Sequence, residues 1–358
     1  MIEFRANPNL IPTEIVKNHL FSKNSSGLNF VAIGGGTGLS TLLSGLKKFV
    51  ADGSAEKIKL ENLAAVVAVS DDGGSSGRLR DELQMPPPGD VRNCMVALSE
   101  DSHLLAQLFR HRFRGDGNLG GHNFGNLFLA ALSEITGDFA EAVRLSSEIL
   151  ASKGHIYPAT TADVRLAAEL FDGSTVLGET NISKVGSSIK RLRLEPENCP
   201  PMPETLAAIA DADVISVGPG SLFTSLLPPI LVEGVADAIA ESPAVKIFIC
   251  NLMTQPGETD GFSAKRHLDI VREYAPQIAF DYVIVNNYRI SENQMSRYAE
   301  EGAKQIGLTD SISPETVEGT EIVYGNLLDG EEKVRHHPDK LAQVVLLCAV
   351  RQQEKILV

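Results

Sequence analysis

Four glycines in five residues, Gly34, Gly35, Gly36 and Gly38 around Thr37, join an apolar run, Phe30-Val31-Ala32-Ile33, to an amphipathic one, Leu39-Ser40-Thr41-Leu42-Leu43-Ser44-Gly45-Leu46. The pattern is strand, glycine turn, helix. Backbone N–H groups at such a turn converge on one spot at the positive end of the helix dipole, which suits a phosphate or another anion. A purely structural turn needs one or two glycines and gives no reason for four. Thr37 and Ser40 add hydroxyl donors. The turn is not a Walker A loop, because no Lys-Ser or Lys-Thr follows at the required spacing. It is not a clean dinucleotide fingerprint either: the third glycine position is Leu39 counted from Gly34, or Thr41 counted from Gly36.

The logic repeats along the chain. An apolar run at 63–69 ends in Ser70-Asp71-Asp72-Gly73-Gly74-Ser75-Ser76-Gly77, and strand, helix, strand predicts a right-handed parallel crossover. Residues 90–150 carry apolar positions at helical spacing and read as a helical region. Residues 156–194 change to short β-rich runs broken by Asp172-Gly173-Ser174 and Gly186-Ser187-Ser188, predicting a small antiparallel insertion or edge. The strand pattern then resumes at 214–217, 245–250 and 281–285, each run ending in small or amide residues. The fold class is therefore α/β, a Rossmann-like doubly wound and mostly parallel sheet. Residues 1–28 read as an extension and 29–358 as one domain. In such sheets the ligand lies beyond the carboxyl ends of the strands, where the strand order reverses.

The loops at those strand ends hold the candidate site. Asp71 and Asp72 suit ribose hydroxyls, or Mg²⁺ through oxygen ligands, while capping of the next helix by Asp72 or Ser75 is the structural alternative. In Gly89-Asp90-Val91-Arg92-Asn93, Asp90 suits a helix cap. Arg92 and Asn93 sit in the first helical turn, where a cation is unfavourable unless an anion is near. Gly121-His122-Asn123-Phe124-Gly125-Asn126 offers His122 as a general base, with Asn123 and Asn126 at i, i+3 as a polar wall. Gly218, Gly220 and Ser221 form a second glycine turn before a helix. Asn251, Thr254 and Gln255 belong to a long polar loop whose amides suit a nucleobase edge or sugar hydroxyls.

Composition narrows the function. A net charge of −14 argues against nucleic-acid partners, so any anion must be held by local donors. No apolar run approaches the ~20 residues that span a bilayer, and 1–29 lacks a secretory layout. Cys94, Cys199, Cys250 and Cys348 are scattered without a Cys-x-x-Cys pair. Cytoplasm is the expectation. No Gly-x-Ser-x-Gly elbow, His-Glu-x-x-His or kinase set occurs. The chain reads as a binder of a phosphorylated ligand, a regulator rather than a declared enzyme; Asp71, Asp72 and His122 are the only catalytic candidates.

Taken in order, Ala32 to Ser40, Asp71 to Gly77, Gly89 to Asn93, Gly121 to Asn126, Gly218 to Ser225 and Asn251 to Thr259 resemble the YvcK-type gluconeogenesis factor family, which is related to the CofD family of 2-phospho-L-lactate transferases. The resemblance spans roughly 29–357. It implies a nucleotide-sugar ligand such as UDP-N-acetylglucosamine, or an NAD-like dinucleotide, and a bacterial role in cell shape and envelope synthesis on gluconeogenic carbon sources. It also implies ligand contacts at Tyr298 and Arg335 and leaves room for cell-envelope partners or a homo-oligomer. If the chain is an enzyme, the resemblance implies a transferase, with Mg²⁺ at Asp71 or Asp72. The transferases are expected to carry a Thr-Gly-Asp-Asp turn where this chain has Ser70-Asp71-Asp72-Gly73-Gly74, which speaks against direct transfer of the deazaflavin chemistry.

Overall fold

The glycine turn ends an inner strand of an eight-stranded sheet. The structure, a computed structural model, describes residues 27–50, 58–100, 103–184, 189–307, 316–317 and 319–356. Most of the N-terminal extension lies outside the described residues. Strand β1 (Leu28–Gly34) leads through helix α1 (Gly36–Leu46) to β2 (Leu60–Val67). Helices α2 (Gly74–Leu83), α3 (Gly89–Leu98), α4 (His103–Arg110), α5 (Phe124–Thr136) and α6 (Phe139–Ile149) follow, and then β3 (His155–Pro158). The strands β4 (Arg165–Leu170), β5 (Thr175–Leu177) and β6 (Ile189–Glu195) form a separate antiparallel sheet in the order β5-β4-β6, with the short helix α7 (Glu179–Ile182) between β5 and β6.

Helix α8 (Pro203–Ala210) returns the chain to the main sheet at β7 (Val214–Val217). A π-helical turn (Leu222–Leu226) and helices α9 (Leu227–Leu231) and α10 (Val235–Glu241) lead to β8 (Val245–Ile249). Then come α11 (Ala264–Tyr274), β9 (Tyr282–Asn286), α12 (Glu292–Glu300), β10 (Thr316–Val317), β11 (Thr320–Gly325) and α13 (Pro338–Ile356).

The main sheet runs β10-β11-β9-β8-β7-β1-β2-β3, parallel throughout except for the β10–β11 pair. From β1 the chain moves one way to β2 and β3, then returns to build β7, β8, β9 and β11 on the other flank. The strand order therefore reverses between β1 and β7. Strands β7, β8 and β9 are buried at every position, as expected of parallel strands covered on both faces, which is why they read as mainly apolar runs without strict alternation. The β-rich region differs from its sequence reading at one end: 155–158 is a parallel strand of the main sheet, and only β4, β5 and β6 form the antiparallel insertion.

Helix α1 buries Leu39, Leu42, Leu43 and Leu46, each adding roughly 1.5–3 kcal/mol of apolar burial. It packs between α3 and α13. Gly45 permits the second contact, because a Cβ there would stand 2.2 Å from the Pro338 carbonyl oxygen. Arg80 of α2 is almost fully enclosed and forms an ion pair of 2.5 Å with Asp163, which anchors the start of β4. Among the described residues, no single helix is long and apolar enough to cross a membrane.

Candidate functional site

The carboxyl ends of β1 and β7 lie side by side, and the glycine turns that follow them pack against each other. A Cβ on Gly38 would lie 2.3 Å from the Pro219 carbonyl oxygen, so the start of α1 and the 218–220 turn touch through backbone alone. Gly36 adopts φ +63°, a conformation that glycine takes without strain. Its N–H donates to the carboxylate of Asp90, which also accepts from the Asn93 side chain. Asp90 therefore does not cap its own helix. It lies in the first turn of α3 and holds the start of α1. Thr37 is exposed, and the Ser40 hydroxyl donates back to the Thr37 carbonyl at 3.0 Å.

Four carboxyl groups gather beside the turn. Asp71 accepts from the Gly73 N–H at 2.8 Å. Asp72 accepts from the Thr180 N–H at 2.9 Å and the Thr180 hydroxyl at 2.6 Å, so it holds α7 of the antiparallel insertion instead of capping α2. Burial, then repulsion from Asp71, pushes Asp90 up to about 6. The same two causes and the nearby Asp90 push Glu179 up to about 9, although Thr224 donates to it. Glu179 thus keeps its proton at neutral pH. No sequence motif marked it. Its place follows only from the return of β5 towards the crevice.

On the helical side, Ser75 and His122 share a hydrogen bond of 3.1 Å at Nδ1. Asn123 caps α5 by accepting from the Asn126 N–H at 3.3 Å, and its own N–H reaches the Ser75 hydroxyl. Burial, then the charge of Arg78, holds His122 below the usual imidazole range. The Asn126 side-chain oxygen and Arg92 Nε are buried without partners. Burial and then Arg112 lower Arg92 to about 10.

Loop 251–259 closes the other side. Asn251 accepts from the Gly220 N–H at 3.3 Å. Ser221 donates to Glu258 at 2.6 Å, and the other Glu258 oxygen accepts from Ser183 at 3.0 Å. The Thr254 hydroxyl accepts from the Lys304 N–H, and the Gln255 side-chain oxygen is buried without a partner. Tyr298 and the segment before Arg335 meet, since the Tyr298 hydroxyl accepts from the Val334 N–H at 3.1 Å, while Arg335 is exposed. No hydrogen bond or ion pair joins that pair to the glycine turns among the described residues. It stands on the rim beyond β9 and β11, beside a cleft of about 720 Å³ lined by Tyr288, Arg289, Arg297 and Asn326 among others. Of the remaining candidates, Gly38 and Gly220 meet where the strand order reverses, and Asn251 joins them through the Gly220 N–H.

Reversed strand order, glycine turns on both central strands and polar loops at their carboxyl ends define a doubly wound α/β protein with a ligand-type crevice at its switch point. The profile of the family described as 2-phospho-L-lactate transferase CofD matches residues 30–328, and the chain belongs to that family. It is 44% identical over 318 residues to the gluconeogenesis factor of Halalkalibacterium halodurans, covering 89% of this chain and 95% of that one. It is 42% identical over 314 residues to the gluconeogenesis factor of Bacillus subtilis, covering 87% and 95%. A crystal structure of a UPF0052-family protein from Bacillus halodurans matches with a TM-score of 0.82 at 42% identity, covering 90% of this chain and 100% of that one.

Proposed function

We propose that this chain binds a nucleotide sugar of the UDP-N-acetylglucosamine type and acts as a ligand-responsive factor in gluconeogenic growth, supporting cell shape and envelope synthesis in the cytoplasm. The observation that carries the reading is the reversal of strand order between β1 and β7, with a glycine turn and a helix start at each. A diphosphate there meets backbone N–H groups and two helix dipoles. Amides of the 251–255 loop then face the sugar or base, and Tyr298 and Arg335 extend the site along the rim. An NAD-like dinucleotide satisfies the same diphosphate geometry.

Isothermal titration tests the reading. Saturable UDP-N-acetylglucosamine binding is the expected result, weakened at least about tenfold by Arg335→Ala through loss of a charge-assisted contact. Gly38→Ala, which drives a Cβ into the opposing turn, abolishes it. An absence of heat at millimolar ligand overturns the reading.

A second reading, Mg²⁺-dependent transfer of a phospho-lactate group as in the CofD name, is favoured by the grouping of Asp71, Asp72, Asp90 and Glu179. The donor set is less favourable than the count suggests. Asp71 and Asp72 each already spend an oxygen on backbone N–H groups, and Glu179 is protonated. Among the described residues, no three His, Cys, Asp or Glu side chains are placed to hold a metal together. Turnover on a deazaflavin acceptor that stops on chelation would bring this reading forward.

A further inference from the structure

The chain carries 46 acidic residues against 32 basic ones, yet the surface around the 113–121 loop is the reverse. Arg92, in the first turn of α3, lays its side chain along Gly125, where a Cβ would stand 2.8 Å from its Cδ. Arg110 ends α4 and Arg112 follows it; both lie within electrostatic reach of Arg92. Residues 111–113 run antiparallel to 121–124, which folds the 113–121 loop back on itself. Arg112 donates to the Gly121 carbonyl at 2.7 Å, and Arg78 of α2 donates to the Gly120 carbonyl at 2.9 Å. Gly121, at φ +78°, leaves room for Arg78: a Cβ there would stand 3.2 Å from the guanidinium. Arg78 and Arg112 both act on the His122 ring beneath them.

Among the described residues, no carboxylate lies within ion-pair distance of any of these four arginines, whereas Arg80, Arg144, Arg165, Arg193, Arg266 and Arg297 all have one. Arg92 Nε is buried without an acceptor, and its Nη2 makes only a long contact of 3.5 Å to the Gly89 carbonyl. Arg78 and Arg112 each spend one of five N–H donors on the turn. Asp90 and Asp71 offset part of the charge around Arg92, while Arg78, Arg110 and Arg112 stand exposed with no carboxylate paired to them; planar forks with free donors match phosphoryl oxygens.

We propose that Arg78, Arg92, Arg110 and Arg112 form an anion site on the helical side of the crevice, separate from the two glycine turns, which takes the phosphoryl group of a small molecule. The proposal is independent of the nucleotide-sugar reading. Two sources share this chemistry: a distal phosphate of the molecule bound at the switch point, or a second phosphorylated molecule brought alongside it.

Inorganic pyrophosphate is the probe. Titration calorimetry of the full chain measures its affinity for the native protein, Arg110→Gln and Arg112→Gln, with UDP-N-acetylglucosamine titrated in parallel. Arg110 makes no hydrogen bond to a described residue, so its replacement leaves the fold undisturbed. Each variant loses pyrophosphate affinity about tenfold, the scale of one charge-assisted contact. A structural role alone would not move a second readout: pyrophosphate raises the titration midpoint of His122, observed by NMR, because it cancels the repulsion from Arg78 and Arg112. Of the charged groups around that ring, only Glu82 opposes them. Unchanged UDP-N-acetylglucosamine affinity in the variants assigns the site to a second molecule, and parallel loss assigns it to the same ligand. Both outcomes support the site. Equal pyrophosphate affinity in all three proteins, or no saturable binding at millimolar concentration, overturns it, whatever the sugar nucleotide does.

Discussion

At the scale of single residues, the crevice is governed by protons. Glu179 has its carboxyl raised from 4.5 to about 9, so the fold favours its protonated form. Its contribution is fully present below about pH 4.5 and is lost as pH rises towards 9. Asp90, raised to about 6, follows the same sign but has finished by neutral pH. Buried His336, lowered to about 4, has the opposite sign and loses stability only on acidification below 6.5. Between pH 7 and 8.5 the slope belongs mainly to Glu179, at up to about 1.4 kcal/mol per pH unit. Urea unfolding should therefore show a loss of about 2 kcal/mol over that range. Glu179→Gln, which keeps a side chain able to bond Thr224, should abolish the slope; parallel decline in both proteins would refute the assignment. None of this was legible in the sequence. The motifs displayed Asp71, Asp72 and Asp90, but the deciding partners of the last two lie far away along the chain, Thr180 for Asp72 at a separation of 108 residues and Gly36 for Asp90. Local patterning suggests a cap on the nearest helix and cannot reveal a cap on a distant one.

At the scale of elements, α1 does two jobs with opposite ends. Its first turn meets the 218–220 loop through Gly38, and its last turn meets Pro338 through Gly45. Gly45→Ala should gain about 1 kcal/mol in helix propensity and lose roughly 1–3 kcal/mol by forcing α13 away. The net expectation is a lower Tm in thermal unfolding followed by circular dichroism, with ligand affinity preserved; a Tm equal to or above that of the native protein would contradict the contact. Strands at this scale were legible, because parallel strands buried on both faces leave mainly apolar runs such as Val214-Ile215-Ser216-Val217. The exception is 155–158. Its four residues, His155-Ile156-Tyr157-Pro158, are too short and too mixed to show which sheet they join, and pairing with β2 across about ninety residues decided it.

At the scale of the whole molecule, the antiparallel insertion serves as a wall of the crevice. Three tethers bind it: Thr180 to Asp72, Glu179 to Thr224, and Ser183 to Glu258. They reach the loop after β2, the π turn after β7 and the loop after β8, so the wall touches both flanks of the sheet. Occupation of the crevice by UDP-N-acetylglucosamine should slow amide hydrogen exchange at 179–184 and 251–259 together, read by mass spectrometry; protection confined to 34–38 would show that the wall takes no part. The reversal of strand order has one more consequence, for the chain as it is made. Strand β1 acquires β2 as soon as residues 60–67 are available, but its other flank pairs only with 214–217. The Asn29 N–H meets the Asp213 carboxylate across 184 residues. Until the ribosome has delivered that distant stretch, β1 shows an unpaired backbone edge to every other nascent chain nearby. The interval of synthesis between β1 and β7 is therefore the one in which this topology is most open to aggregation.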